Sequence, residues 1–356
     1  MKKGYLVTCV AAGLLAVGLA FGPAQASASC TPIPEASFTI DTIGNLNAAV
    51  VNPSSTVTGV VDATGCDIGV YFSPGTTGAV RNATVFGAQK AGIVNNGAKV
   101  TIDSNAIYQI GDNPLDGVQY GLAIYVYGLG SSPASGDVTH NTIWRFQKNG
   151  ITIKGANSDV VGNTVIGEGP VDYIAQNGIE VAYGSTSDVE DNTVFGMSYT
   201  GAGEASSAGV LLIGGDCFGL PVQANTTVKD NNLSGNDVGV WLANIAADCA
   251  SSQSTPTRNM VLSNMISDNG VFNATGGVTG AYQAGVAVLG DKDKVVGNSI
   301  CGVGYTPQTS TPPYLFTVDS SLAISPVVAN NGCAGFGGNG GNGGHGKGGW
   351  PRPSHD

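Results

Sequence analysis

The chain has 356 residues, of which only 11% are charged, while Gly alone accounts for 55 positions. So few charges disfavour long amphipathic helices, and abundant Gly, Asn, Thr, Ser and Val suit many short strands joined by tight turns. The formal net charge of −11 excludes the basic surface that nucleic acid or anionic membrane would require.

At the N-terminus, Lys2 and Lys3 precede an apolar run from Leu6 to Phe21, and Ala24-Gln25-Ala26 is a small-residue cleavage pattern. The run is short for a membrane span, so residues 1–26 are expected to be a signal peptide. Without Lys2 and Lys3, 12 basic and 25 acidic residues remain, a net charge of −13. The mature protein is therefore expected outside the cytoplasm, secreted or at the cell surface or periplasm, with no membrane span. Cys9 leaves with the signal, and six cysteines remain. An even number in an exported chain reads as disulfides, expected as Cys30–Cys66, Cys217–Cys249 and Cys301–Cys333. No pair has the C-x-x-C spacing of a zinc site.

Residues 27–56 are expected to form an N-terminal cap, with a short helix near Leu46–Val51. From residue 57 to 333 the chain repeats. One element is an apolar residue, two variable residues, Asn, one more residue and an apolar residue. Its Asn positions are Asn105, Asn141, Asn163, Asn192, Asn231, Asn264 and Asn298, with Ala83 in the same place in a degenerate copy. A second element, Gly followed by alternating apolar residues, starts at Gly92, Gly121, Gly150, Gly178, Gly209, Gly239 and Gly285. Alternation sends one side chain in and the next out. Asn141 to Gly150 takes 9 residues and Gly150 to Asn163 takes 13, so the shortest coil has 22. That length holds three short strands and three bends, too little for a βαβ unit. Longer coils add loops, among them 108–119, 167–177, 214–226 and 244–258. The expected fold class is all-β: a right-handed parallel β-helix in which stacked coils bury one continuous core. The recurring Asn is expected to bridge each turn to the next coil with its amide. Residues 334–356 are Gly-rich and are expected to form a disordered tail.

These repeats resemble the pectate-lyase-like right-handed parallel β-helix superfamily. The stretches Gln147-Lys-Asn-Gly150-Ile and Gly169-Pro-Val-Asp-Tyr-Ile-Ala-Gln-Asn-Gly178-Ile are similar to a secreted bacterial subgroup of unknown activity. The resemblance implies the fold and leaves function open, because that fold carries lyases, hydrolases, epimerases and non-catalytic surface proteins. The N-T-D, D-D and R-I-K motifs of polygalacturonases are absent. So are the W-x-D-H and R-x-P-x-x-R motifs of pectate lyases and the D-P-H motif of alginate epimerases. Gly344-His345-Gly346 stands alone in the tail.

One region gathers chemistry. His140, Arg145, Lys148 and Lys154 form the densest basic cluster of a chain poor in bases. On the sheet face beside it, Tyr125, Tyr127 and Glu180 are expected to point outward, with Asp172, Tyr173 and Gln176 in the 167–177 loop as a wall. Such a face can stack sugar rings on Tyr and bind hydroxyls with Glu and Gln. If it catalyses, Lys148 or Lys154 would serve as base and Arg145 would face the substrate's negative charge. Trp241 is a further stacking candidate, or else packs under the loops near 214–226 and 244–258. Two acidic sets offer calcium ligands, Asp188, Glu190 and Asp191, and Asp230, Asn231 and Asp237, neither with a recognised loop spacing. Asp291 and Asp293 alternate with Lys292 and Lys294 and read as a solvated turn. The expected function is binding or processing of a polysaccharide or cell-envelope glycan. The alternative is a non-catalytic structural or adhesive envelope protein. An ice-binding Thr array ranks last, because Thr142, Thr164 and Thr193 give way to Asn232 and Met265.

Overall fold

The computed structural model describes residues 29–33, 46–130, 132–202, 205–271, 282–310, 312–333 and 352–353. The signal-peptide stretch 1–26 lies outside the described residues, as does all of the 334–356 tail except Arg352 and Pro353. Those two pair in parallel with Ala205 and Ser206.

From Ala91 to Cys301 each coil contributes three strands to the two main sheets, as the shortest coil shows with Asn149–Lys154, Val160–Val161 and Thr164–Val171, and the end coils contribute two. The first strand of each coil joins one sheet of 11 strands, parallel except at the edge, where Thr31–Pro32 pairs antiparallel with Asn47–Val51, and the remaining strands of the coils join a second sheet of 17. In the first sheet Ile124, Ile151, Ile179, Val210, Val240 and Val286 fall on one another coil by coil. These inward residues are buried together with Val138, Val160, Val189, Val228, Val261 and Val295 from the opposite wall. Both walls are β-branched because such side chains fit a pleated surface.

The bend between the second and third strands holds the expected ladder. The Nδ2 of Asn105 donates to the Oδ1 of Asn141 at 2.9 Å, and Asn141, Asn163, Asn192, Asn231, Asn264 and Asn298 repeat the bond at 2.8–3.0 Å, ending on Asn331. The same Oδ1 accepts the backbone N–H of the rung before it, as from Asn141 to Asn163 at 2.9 Å. Each Nδ2 also donates to a carbonyl one coil back, as Asn141 does to Ile102 at 3.0 Å. No strand pairs these backbone groups, so one buried amide satisfies what the bend would otherwise strand. Ala83 lacks the amide, yet its N–H still reaches Asn105 Oδ1 at 3.0 Å.

All three expected disulfides form, Cys30–Cys66, Cys217–Cys249 and Cys301–Cys333, with Cα separations of 5.5, 5.0 and 4.7 Å. Three such bonds belong to an oxidising compartment. Among the described residues, no helix is long and apolar enough to cross a membrane. Two sequence expectations need correction. Asn47–Val51 is a strand rather than a helix, because it pairs in parallel with Ile68–Phe72 and so already belongs to the solenoid. Asp291 and Asp293 are not solvated: they are 6% and 0% exposed. Asp293 turns inward to accept the Thr257 hydroxyl and the Asn259 N–H, both at 2.7 Å.

Candidate functional site

The outer face of the first sheet does not present the residues expected of it. Tyr125, Glu180 and Trp241 follow the alternation outward, yet they are 1%, 0% and 1% exposed. Trp241 packs in a cluster with Leu211, Tyr282 and Ile245, against Phe218 and Leu220 of the 214–226 insertion, so of its two expected places it takes the packed one. The Glu180 carboxylate accepts from Asn149 Nδ2 at 3.1 Å. Tyr127 and Lys154 are half-buried, and the Lys154 ammonium lies 5.2 Å from the Tyr183 ring centre. The sheet pattern foretold direction correctly. It could not foretell coverage, which comes from elsewhere in the chain.

An open site lies at the adjoining corner, where the second sheet turns into the first. Asn105 to Gly121 takes 16 residues and Asn163 to Gly178 takes 15, but between them Asn141 to Gly150 takes 9. The middle coil therefore has no insertion, and its two neighbours rise on either side of it. The result is a notch of about 280 Å³ lined by Gln109, Asp112, Leu115, Arg145, Glu168 and Tyr173, with Asn113 and Pro114 at its edge. Its volume is near the lower end of small-ligand sites.

Buried amides build its walls. Gln147 is fully buried. Its Oε1 accepts the N–H groups of Asp112 at 3.0 Å and Asp116 at 3.3 Å, and its Nε2 donates to the Val118 carbonyl at 2.8 Å. Gln176 does the same for the other wall. Its Oε1 accepts the Glu168 N–H at 2.9 Å, and its Nε2 donates to the Phe146 carbonyl at 2.6 Å. Lys148, also fully buried, donates to the Ala175 carbonyl at 3.1 Å. Lys148 and Gln176, expected as base and ligand contact, are thus closed to solvent and hold the insertions in place. The walls touch at Gly117, where a Cβ would stand 2.8 Å from the Tyr173 carbonyl oxygen, too near for any side chain.

The notch surface mixes donors, acceptors and one ring. Asp112 accepts from Gln89 at 2.8 Å and from Tyr120 at 2.6 Å. Burial works against its ionisation, but those two bonds and the Lys90 charge outweigh it and hold the carboxyl below its usual range. Tyr173 is 36% exposed. Partial burial raises its hydroxyl, as do the neighbouring Glu168 and Asp172 carboxylates. Glu168, Asp172 and Arg145 are exposed. Of the expected residues, Arg145 and Tyr173 meet in the notch, with Asp172 next to the ring. Gln109, Asp112 and Glu168 went unrecognised in the sequence. The coil-to-coil drop in insertion length was the signal that marked their position.

Beside the notch, Phe86, Tyr108 and Trp144 stack along the second sheet, with ring centres 5.2 and 4.6 Å apart and planes within 7° and 12°. Both faces of Tyr108 are covered in this way, and the rail stabilises neighbouring coils. The two acidic sets do not close on a cation. Asn231 is a ladder rung, Asp230 pairs with Lys229 at 3.0 Å, and Asp237 is buried and accepts from Ser198, Tyr199 and Ser207. Among the described residues, no three His, Cys, Asp or Glu side chains gather as a metal site.

No curated protein matches the chain. Among solved structures it is similar to the Dettilon tailspike protein (gp208), at 12% identity and a TM-score of 0.35, over 77% of this chain and 60% of that one. The chain thus spans about 60% of the tailspike's length. Residues 47–255 match the family described as right handed beta helix region, and with two parallel sheets wound coil on coil around one core, this chain belongs to that family.

Proposed function

We propose that this protein is exported and binds a neutral extracellular glycan in the notch at Arg145 and Tyr173. One observation carries the reading. Two insertions, each pinned by a buried glutamine, flank the shortest coil and leave a ring-sized recess with an exposed aromatic, a guanidinium and two carboxylates. A tyrosine ring stacks on a pyranose, carboxylates accept from its hydroxyls, and a guanidinium donates to its oxygens. With a net charge of −13 once Lys2 and Lys3 are removed, the protein repels polyuronates, whereas a neutral chain meets no long-range barrier. The three disulfides and the N-terminal pattern support an extracellular or periplasmic address.

A glycan array with purified wild type and Tyr173→Ala tests the reading. Wild type should retain neutral glycans with little dependence on salt, and Tyr173→Ala should lose at least tenfold in affinity. Reducing-end and unsaturated-product assays on the retained glycans then separate binding from hydrolysis and elimination, for which Arg145 is the accessible cation. Retention of no glycan would favour a structural role for the protein.

A further inference from the structure

At the corner that carries the notch, most coils place a left-handed residue just after the outward position occupied by Phe86, Tyr108, Trp144, Phe195, Ser234 and Cys301. At that place Gly87, Gly196, Gly235 and Gly302 have φ of 80°, 81°, 62° and 104°. Glycine adopts such angles without strain. Strand register puts Gln109 and Arg145 in the same place, since Tyr108 pairs with Trp144 and Ile110 with Phe146. They take φ of 55° and 51°, although both are long side chains with no short polar group to ease that conformation. Ala63, Gly167 and Asp268, at the same step, keep an ordinary φ.

Left-handed residues of other types do occur at the ladder bend, at Ser104, His140, Asp191, Asp230 and Ser263. Most of those are short polar residues that tolerate the conformation, and each precedes a rung whose amide fixes the bend. At the notch corner nothing of that kind helps. No polar contact compensates: among the described residues, neither Gln109 nor Arg145 finds a partner for a side-chain hydrogen bond or ion pair. This contrasts with Gln147 and Gln176, whose amides are fully engaged in holding the walls. Both of these strained, unengaged side chains line the notch.

We infer that Gln109 and Arg145 are the specificity-determining residues of the notch, presented to the ligand from corners that the fold alone would fill with glycine. This rests on the glycan-binding reading and deepens it. Long side chains also take a positive φ at Tyr183, Arg258 and Lys292, away from this corner. Among the corners equivalent to it, the strain falls only on the two residues that line the notch, the pattern of a functional position. The guanidinium supplies paired donors and the amide one donor and one acceptor, a set that matches two adjacent hydroxyls of a neutral sugar.

The test compares Gln109→Gly, Arg145→Gly and Arg145→Ala with wild type, in melting temperature and in binding to cellohexaose, maltohexaose, mannohexaose and chitohexaose. A control, Gly196→Gln, places the same side chain at a corner outside the notch. Each glycine variant should bind at least tenfold more weakly, or change the order of preference among the four, while melting no lower than wild type. Arg145→Gly should melt about 2–4 °C above Arg145→Ala, which keeps the strain. Gly196→Gln should melt lower and bind as wild type does. Wild type that binds one of the hexasaccharides while both glycine variants bind it equally well overturns this inference alone. So does a glycine variant that melts several degrees below wild type. Wild type that binds none of the four overturns the glycan reading, and this inference with it.

Discussion

The ladder bend and the notch corner are two turns of the same coil, built by opposite rules. At the ladder every coil from Asn105 to Asn298 supplies the same residue, and each of those amides is buried and satisfied within the stack. At the corner the residue changes from coil to coil, the connection length ranges from none to a full insertion, and among the described residues the side chains of Gln109 and Arg145 have no hydrogen-bond or ion-pair partner. A repeat can vary only where stacking does not depend on it. The invariant bend carries stability, and the variable corner is free to carry recognition.

The largest expected effect tests the corner where it is closed. Two residues beyond Gly235, in the position that Gln147 fills in the open coil, sits Asp237. Burial raises its carboxyl from 3.8 to about 7, against three hydrogen bonds that favour the anion, with Asp268 adding repulsion. Burial likewise raises Asp268 and Asp293 to about 6. In this window the folded protein binds more protons than the unfolded chain, so stability falls as pH rises from about 4 to about 7. For Asp237 alone the loss is on the order of a few kcal/mol by the usual conversion of a pKa shift. Urea midpoints should be higher at pH 5 than at pH 8, and Asp237→Asn should flatten the slope. A midpoint that rises with pH would show that the buried carboxylates are not the controlling groups.

Next in size is the ladder itself. Asn163→Ala or Asn192→Ala strands buried backbone partners and should destabilise by about 1–3 kcal/mol. The exposed Asn157→Ala should stay within about 0.5 kcal/mol. Equal shifts in urea midpoint for all three would remove the distinction between rung and bystander. The notch walls should respond less. Gln176→Leu leaves the Glu168 N–H without its partner and should cost about 1–2 kcal/mol. Hydrogen exchange should localise the loosening to residues 167–175. Smallest of all, Tyr173→Ala should move the midpoint by no more than about 0.5 kcal/mol while removing glycan retention. A large stability loss there would make the ring a packing residue.

Much of the invariant bend was legible in the sequence and little of the corner was. Seven Asn copies at matching positions disclosed the ladder, because only a repeated amide satisfies a repeated need. Disulfide pairing followed from cysteines on neighbouring coils. Alternation put Tyr125 and Glu180 outward correctly, but the periodicity of one strand holds no information about what lies over the sheet. Lys148 and Gln176 looked like chemistry because they were polar residues in a basic, loop-rich stretch. Their burial, and their hold on Ala175 and Glu168, depends on where the insertions return. Gln109 was invisible for a different reason: its meaning lies in the glycines that replace it at Gly87, Gly196 and Gly235, which can be lined up only once the strand register is known.

The ladder also has a direction. Each rung's amide donates forward to the oxygen of the next coil, and each rung's oxygen receives from the coil before. A chain that emerges N-terminus first therefore completes one coil at a time. The arrival of each new asparagine quenches the waiting donors of its predecessor and leaves one fresh set at the growing end. Assembly in that order exposes one unfinished turn at a time, so the solenoid can zip up from its N-terminal end as the chain emerges, without holding the whole chain unfolded.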